Sequence, residues 1–148
     1  MRTLAIDYGT RRIGLAMSDD GGRFATPFAV LENETSAEKL AHIVALVGAE
    51  QVQRIVIGLP LNMDDSVGSG ARAVVQWARD LRSRATCPLV FVDERLSSFD
   101  AEQSLARRRR DGEKLTHRMK KDRRDALAAA SFLQDFLDGK LNAIDVGL

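Results

Sequence analysis

The chain is poor in the residues that make covalent staples and soft metal sites. It has one cysteine, Cys87, so an internal disulfide or a cysteine-rich zinc site is closed to it, and nothing calls for an oxidising compartment. Its two histidines, His42 and His117, lack the partner pattern of general-base chemistry. No run approaches the roughly 20 apolar residues that span a bilayer. The N-terminus lacks the basic, apolar, small-residue order of a signal peptide. The three prolines punctuate no low-complexity linker, and no internal repeat is visible. The lone tryptophan, Trp77, reads as a packing residue. These absences together point to a cytoplasmic chain without a membrane partner.

What is present suits a folded domain. The 148 residues are 45% hydrophobic and 29% charged, enough for one α/β domain spanning 1–148 with a real core. The net charge of +1 is uninformative, but its distribution is not. Arg107 to Arg124 holds ten Lys or Arg against three Asp or Glu, which leaves the remainder acidic. A basic strip on an acidic body suggests a polyanion partner, the bland alternative being a solvated loop.

Hydrophobic period and turn signals give the element order. Residues 2–7, 11–18 and 24–31 read as strands, separated by Tyr8-Gly9-Thr10 and Asp19-Asp20-Gly21-Gly22. Ser36 precedes a helical pattern carried by Leu40, Ile43, Val44 and Val47. "RIVIGLP" and "PLVFVDE" read as buried parallel strands, with a helix over 66–85 between them. A further helix is expected from a cap at Ser97 or Ser98 to about Arg110, and a last one over about 122–138, stopped at Gly139. Three meandering strands followed by alternating helix and strand build one mixed sheet with helices on its faces.

Three acids occupy comparable places in that scheme. Asp7 ends the first strand, Glu94 directly follows the last, and Asp125 falls at the expected start of the final helix. Sites in open α/β sheets form at the carboxyl ends of parallel strands, so these acids would converge on one edge. Converging carboxylates repel unless a cation neutralises them, and an oxygen-only donor set suits Mg²⁺ or Mn²⁺. The positive end of the last helix would further favour an ionised Asp125. Alanines at 126, 128, 129 and 130 would let that helix lie close to the sheet.

"AIDYGTRRIGLA", "IVIGLPLNMDDS", "VDERLSS" and "DALAAASFL" occur in the order and spacing of the YqgF/RuvX family, which the chain resembles from Leu4 to about Leu137. The family is described as pre-16S rRNA nucleases and as Holliday-junction-resolvase-like. The resemblance implies an RNase H-like fold, a five-stranded mixed sheet in order 3-2-1-4-5 with helices on both faces. It also implies Asp7, Glu94 and Asp125 as catalytic acids. Two departures stand out. Asp65 replaces a frequent glycine, and the final acid is doubled as Asp122 and Asp125. Asp122 lies one turn before Asp125 and is an additional candidate ligand, since i and i+3 share a helix face.

The reading that follows is a nuclease dependent on Mg²⁺ or Mn²⁺, acting on structured RNA such as precursor rRNA or on branched DNA. Backbone phosphates would be met by Arg11 beside the first acid, by Asn62 after the "GLP" bend and by Arg95 beside Glu94. The basic strip would add Arg107, Arg108, Arg109, Arg110, Lys114, Arg118, Lys120, Lys121, Arg123 and Arg124. A non-catalytic nucleic-acid-binding module is the main rival, although binding alone would disfavour acids beside phosphates. Actin-like ATPases also open with Asp-x-Gly-Thr, but they need a second domain to enclose a nucleotide, and no Walker A sequence is present. The oligomeric state is open.

Overall fold

Alternation along the strands sorts large side chains from small ones, and the fold follows that sorting. Strands β1 (Thr3–Tyr8), β2 (Ile13–Ser18), β3 (Ala25–Leu31), β4 (Arg54–Leu59) and β5 (Leu89–Asp93) form one sheet ordered β3-β2-β1-β4-β5. β1 pairs antiparallel with β2 and parallel with β4, so the sheet is mixed. The computed structural model describes residues 1–64, 66–94 and 117–146, with side chains from Arg124 onward in the last of these.

One face of the sheet carries Leu4, Ile6, Ile13, Leu15, Ile55, Ile57 and Phe91, all buried. Helices α1 (Ser36–Ala49) and α2 (Ser69–Arg84) cover it with Leu40, Ile43 and Val47, and with Val74, Trp77 and Leu81. The opposite face carries Ala5, Ala16, Val56 and Val92, and one helix, α3 (His117–Leu137), lies on it through Ala129, Ala130, Phe132 and Leu133. Small residues on both surfaces let that helix approach closely. Side chains alternate across a strand, so Asp7, two residues after Ala5, faces α3, while Tyr8 turns to the other side and meets Trp77 at 4.7 Å between ring centroids.

Several boundaries differ from the sequence expectation. The cap of α1 is Thr35 rather than Ser36; its hydroxyl accepts from Glu38 N while Glu38 reaches back to Thr35 N, a reciprocal capping box. α2 begins at Ser69, because Ser66 is taken up by the preceding loop, where its amide and hydroxyl donate to Asp64. α3 begins at His117, five residues before the expected 122, since the charged run contains no helix breaker. It ends at Leu137 with the Lys140 amide on the Asp135 carbonyl and Gly139 at a φ of 77°, the left-handed stop the sequence suggested. The tail then returns to the open side of β5, where Ile144 N donates to the Phe91 carbonyl at 2.7 Å. The helix expected from Ser97 or Ser98 to Arg110 lies outside the described residues.

Candidate active site

Asp7 stands on the central strand between two positions that have no side chain. Across β2 it pairs with Gly14. Across β4 its neighbour lies one residue beyond the Ile6–Ile57 pair, at Gly58. Both glycines share the α3 face, and each empty place is filled by one of the other acids. A Cβ on Gly14 would collide with the backbone carbonyl of Asp125, so the missing side chain lets α3 seat Asp125 beside Asp7. A Cβ on Gly58 would stand 2.8 Å from Glu94 Oε2 and 3.0 Å from the Phe132 ring. Glu94 follows β5 with the same parity as Val92, and its side chain lies across the bare backbone of β4 to reach Asp7.

Asp7 and Glu94 are hydrogen-bonded to each other. Two carboxyl groups can bond in this way only when one keeps a proton. Burial pushes Asp7 up to about 6, opposed by the hydrogen bond from Glu94 and assisted by the negative charge of Asp125. Burial pushes Glu94 up to about 8, and the charge of Asp7 and the shared hydrogen bond add to it. Burial and the neighbouring negative charges thus favour a protonated form of the pair, most strongly at Glu94. The third acid is balanced differently. Its Oδ2 accepts from Arg12 Nε at 2.8 Å, and Arg12 Nη1 lies 3.8 Å from Glu32. With α3 starting at His117, Asp125 sits in the third turn of the helix, beyond the reach of the terminal dipole. The expected helix-end stabilisation of Asp125 is thus corrected to an ion pair with Arg12.

Among the described residues no three His, Cys, Asp or Glu side chains are already gathered as a metal cage. The donor chemistry nevertheless fits a hard divalent ion. Asp7, Glu94 and Asp125 offer oxygen alone, His42 is 3.7 Å from Glu34 on another part of the surface, and Cys87 precedes β5 at the opposite end of the sheet. A half-buried pair of carboxyl groups whose charged forms repel each other is also a place where a cation relieves repulsion.

The other candidate residues fall into three groups. Arg11 is exposed in the turn after β1, and its carbonyl accepts from the buried Lys39 ammonium at 2.8 Å. Asn62 is exposed in the loop after β4 and donates to the Ser66 hydroxyl at 3.0 Å, so its amide shapes that loop. Arg124 is exposed on α3. Asp122, Arg118, Lys120, Lys121 and Arg123 lie on the backbone of α3, but their side chains are outside the described residues. Arg95, Arg107 to Arg110 and Lys114 are outside them as well. Arg12 was missed by motif reading, although parity marks it. Arg12, Gly14 and Ala16 alternate against Ile13, Leu15 and Met17, which places Arg12 on the α3 side.

Comparison with known proteins gives the family and the fold. The family profile described as "RuvX: Holliday junction resolvase" matches residues 1–139. A protein of Anaeromyxobacter sp. named "Putative pre-16S rRNA nuclease" is 43% identical over 140 residues, which cover 95% of this chain and 98% of that protein. One of the same name from Chloroflexus aurantiacus is 39% identical over 93% of this chain and 86% of its own. Among solved structures, Thermus thermophilus RuvC in complex with a Holliday junction substrate superposes with a TM-score of 0.59 at 18% identity, over 97% of this chain and all of that one. Fowlpox virus resolvase, in complex with Holliday junction DNA, gives 0.55 at 7% identity over 93% and 99%. Both share the fold.

Proposed function

The chain belongs to the RuvX family, and from that premise and the half-buried Asp7–Glu94 pair we propose that it is a divalent-metal-dependent nuclease that hydrolyses phosphodiester bonds at the 5′ end of the 16S rRNA precursor. The observation that carries the proposal is the carboxyl pair itself. A module that only bound nucleic acid would gain nothing from two acids forced together under a helix, one of them kept protonated by burial. Such an arrangement suits a cation and the chemistry it permits.

Asp7, Glu94 and Asp125 would hold the metal, with Asp122 as a further candidate. When bound, Mg²⁺ or Mn²⁺ lowers the pKa of water and offsets charge on the phosphate being attacked. The residues of the chain do the remaining work. Asp7, central between the two glycines, presents its carboxylate to the common space. Glu94 would give up its proton if a cation were held there, because the added positive charge would offset the burial and the repulsion that favour its protonated form. Exposed Arg11 and Arg124 stand near enough in sequence to Asp7 and Asp125 to meet backbone phosphates, and the strip from 107 to 124 would track the nucleic acid. No covalent protein intermediate is required.

A four-way DNA junction is the second substrate reading, favoured by the description of the matching family. Cleavage of precursor 16S RNA, single-stranded RNA and four-way DNA junctions with Mg²⁺ or Mn²⁺ separates the two. Precursor RNA is expected to be cut, and exclusive junction cleavage would transfer the assignment to resolution. Asp7→Asn is expected to abolish cleavage while nucleic-acid affinity holds or rises, since a charge that repels phosphate is removed. Wild-type turnover in that variant would exclude Asp7 as a metal ligand.

A further inference from the structure

The pairing of Arg12 with Asp125 carries an implication beyond the three acids. A guanidinium 2.8 Å from Asp125 Oδ2 engages an oxygen of an acid proposed to hold the divalent ion. The origin of the arginine is well anchored. The Gly9 amide donates to the Arg12 carbonyl at 2.9 Å, and the buried Lys39 ammonium holds the neighbouring Arg11 carbonyl at 2.8 Å. The tip is not sealed in. Arg12 and Asp125 side chains each keep 28% of their exposure, and a second carboxylate, Glu32, stands 3.8 Å from Nη1. A fixed base with a partly exposed head between two acids describes a side chain that can exchange partners.

We propose that Arg12 stands in for the divalent cation at Asp125 and, once the cation takes that carboxylate, turns its guanidinium to a non-bridging oxygen of the nucleic-acid phosphate. This deepens the nuclease reading and rests on it. A unit positive charge a few ångströms from a doubly charged ion repels it, so both cannot share Asp125 at full strength. The displaced guanidinium keeps Glu32 on one side and finds the incoming phosphate on the other. Its planar fork matches two oxygens of one phosphate, which a lysine ammonium does not.

Calorimetric titration of Mn²⁺ into nucleic-acid-free protein tests the exchange, paired with cleavage kinetics on precursor 16S RNA. Arg12→Gln is expected to bind Mn²⁺ on the order of tenfold more tightly, since a competing cation is gone. Its kcat/KM is expected to fall on the order of tenfold or more, since a charged hydrogen bond to phosphate is removed. Arg12→Lys should bind Mn²⁺ at least as tightly as wild type and cleave at an intermediate rate; it also serves if Arg12→Gln does not fold. Weaker or unchanged Mn²⁺ binding in Arg12→Gln, or weaker binding in Arg12→Lys, would make Arg12 a support for Asp125 and overturn the exchange. Tighter Mn²⁺ binding with unaltered kcat/KM would overturn the role at phosphate. If wild type itself binds no Mn²⁺, or Asp7→Asn binds it equally well, the metal-nuclease reading fails first, a result distinct from any of these.

Discussion

Gly58 decides how close Glu94 can come to Asp7. Alanine there would set a methyl 2.8 Å from Glu94 Oε2 and 3.0 Å from both Glu94 Cβ and the Phe132 ring. The carboxyl tip can swing aside, but the buried ring cannot, so Gly58→Ala should cost about 1–3 kcal/mol by overpacking and also part the two acids. Loss of cleavage is expected to exceed what the fall in folded fraction explains, as thermal unfolding and cleavage rates measured on one preparation would reveal. The acid pair also predicts a pH dependence with a definite sign. In the folded protein Asp7 and Glu94 are raised to about 6 and about 8, so between about pH 4 and 8 the folded state holds protons that the unfolded chain has released. Stability from this pair is full below about pH 4 and is lost as pH rises through 6 and 8. Cation-free protein should therefore lose thermal stability over that range, and Asp7→Asn should flatten the trend. Added Mn²⁺ should oppose it increasingly toward high pH, where the carboxylates are ionised for it.

Among the elements, α3 bears most directly on the site, because it carries Asp125 and covers the small-residue face of the sheet. Its close approach depends on Gly14, where an added Cβ would meet the backbone of Asp125 rather than a yielding side-chain tip. Gly14→Ala is expected to lower the melting temperature more than Gly58→Ala, since a helix must shift as a unit to make room. Equal effects in differential scanning calorimetry would mean that α3 relaxes easily. At the far edge of the sheet, β3 carries Pro27 and a register irregularity against Leu15 and Ala16. Both features interrupt a continuous edge ladder and discourage strand addition by another chain. The other edge, β5, is met by the tail at Ile144.

Across the whole molecule, charge is segregated along the chain, with the basic strip between Arg107 and Arg124 leading into the helix that carries Asp125. On the proposed reading, the acids around Asp7 repel phosphates until a cation is present, so affinity must come from elsewhere. If the strip supplies it, replacing Arg107–Arg110 with alanine should weaken binding to all sequences alike. The slope of log affinity against log salt should become shallower by about 0.7–0.9 for each phosphate that is no longer neutralised. Salt-titrated binding of wild type and variant checks this, and identical slopes would remove the run from the binding surface. No described helix is long and apolar enough to cross a membrane.

Local patterns were enough for the element order and for a mixed sheet with helices on its faces, whereas the strand order, observed as β3-β2-β1-β4-β5, was implied by the family resemblance. Strand period is a property of neighbouring residues, and Leu4, Ile6 and Tyr8 against Ala5 and Asp7 declare it without any tertiary information. The same alternation in Arg12, Gly14 and Ala16 was readable, yet its meaning depended on what lies opposite. That Gly14 admits the Asp125 backbone, that Gly58 admits Glu94, and that Asp125 is balanced by Arg12 rather than by a helix end were decided only by the tertiary structure. These relations join residues as much as 113 positions apart in the chain. They follow from how near a helix can lie to a sheet, a distance set by packed surfaces on two elements together and by neither alone. The start of α3 was blurred for a related reason: charged residues suit an exposed helix and a loop alike, so composition leaves the choice to packing.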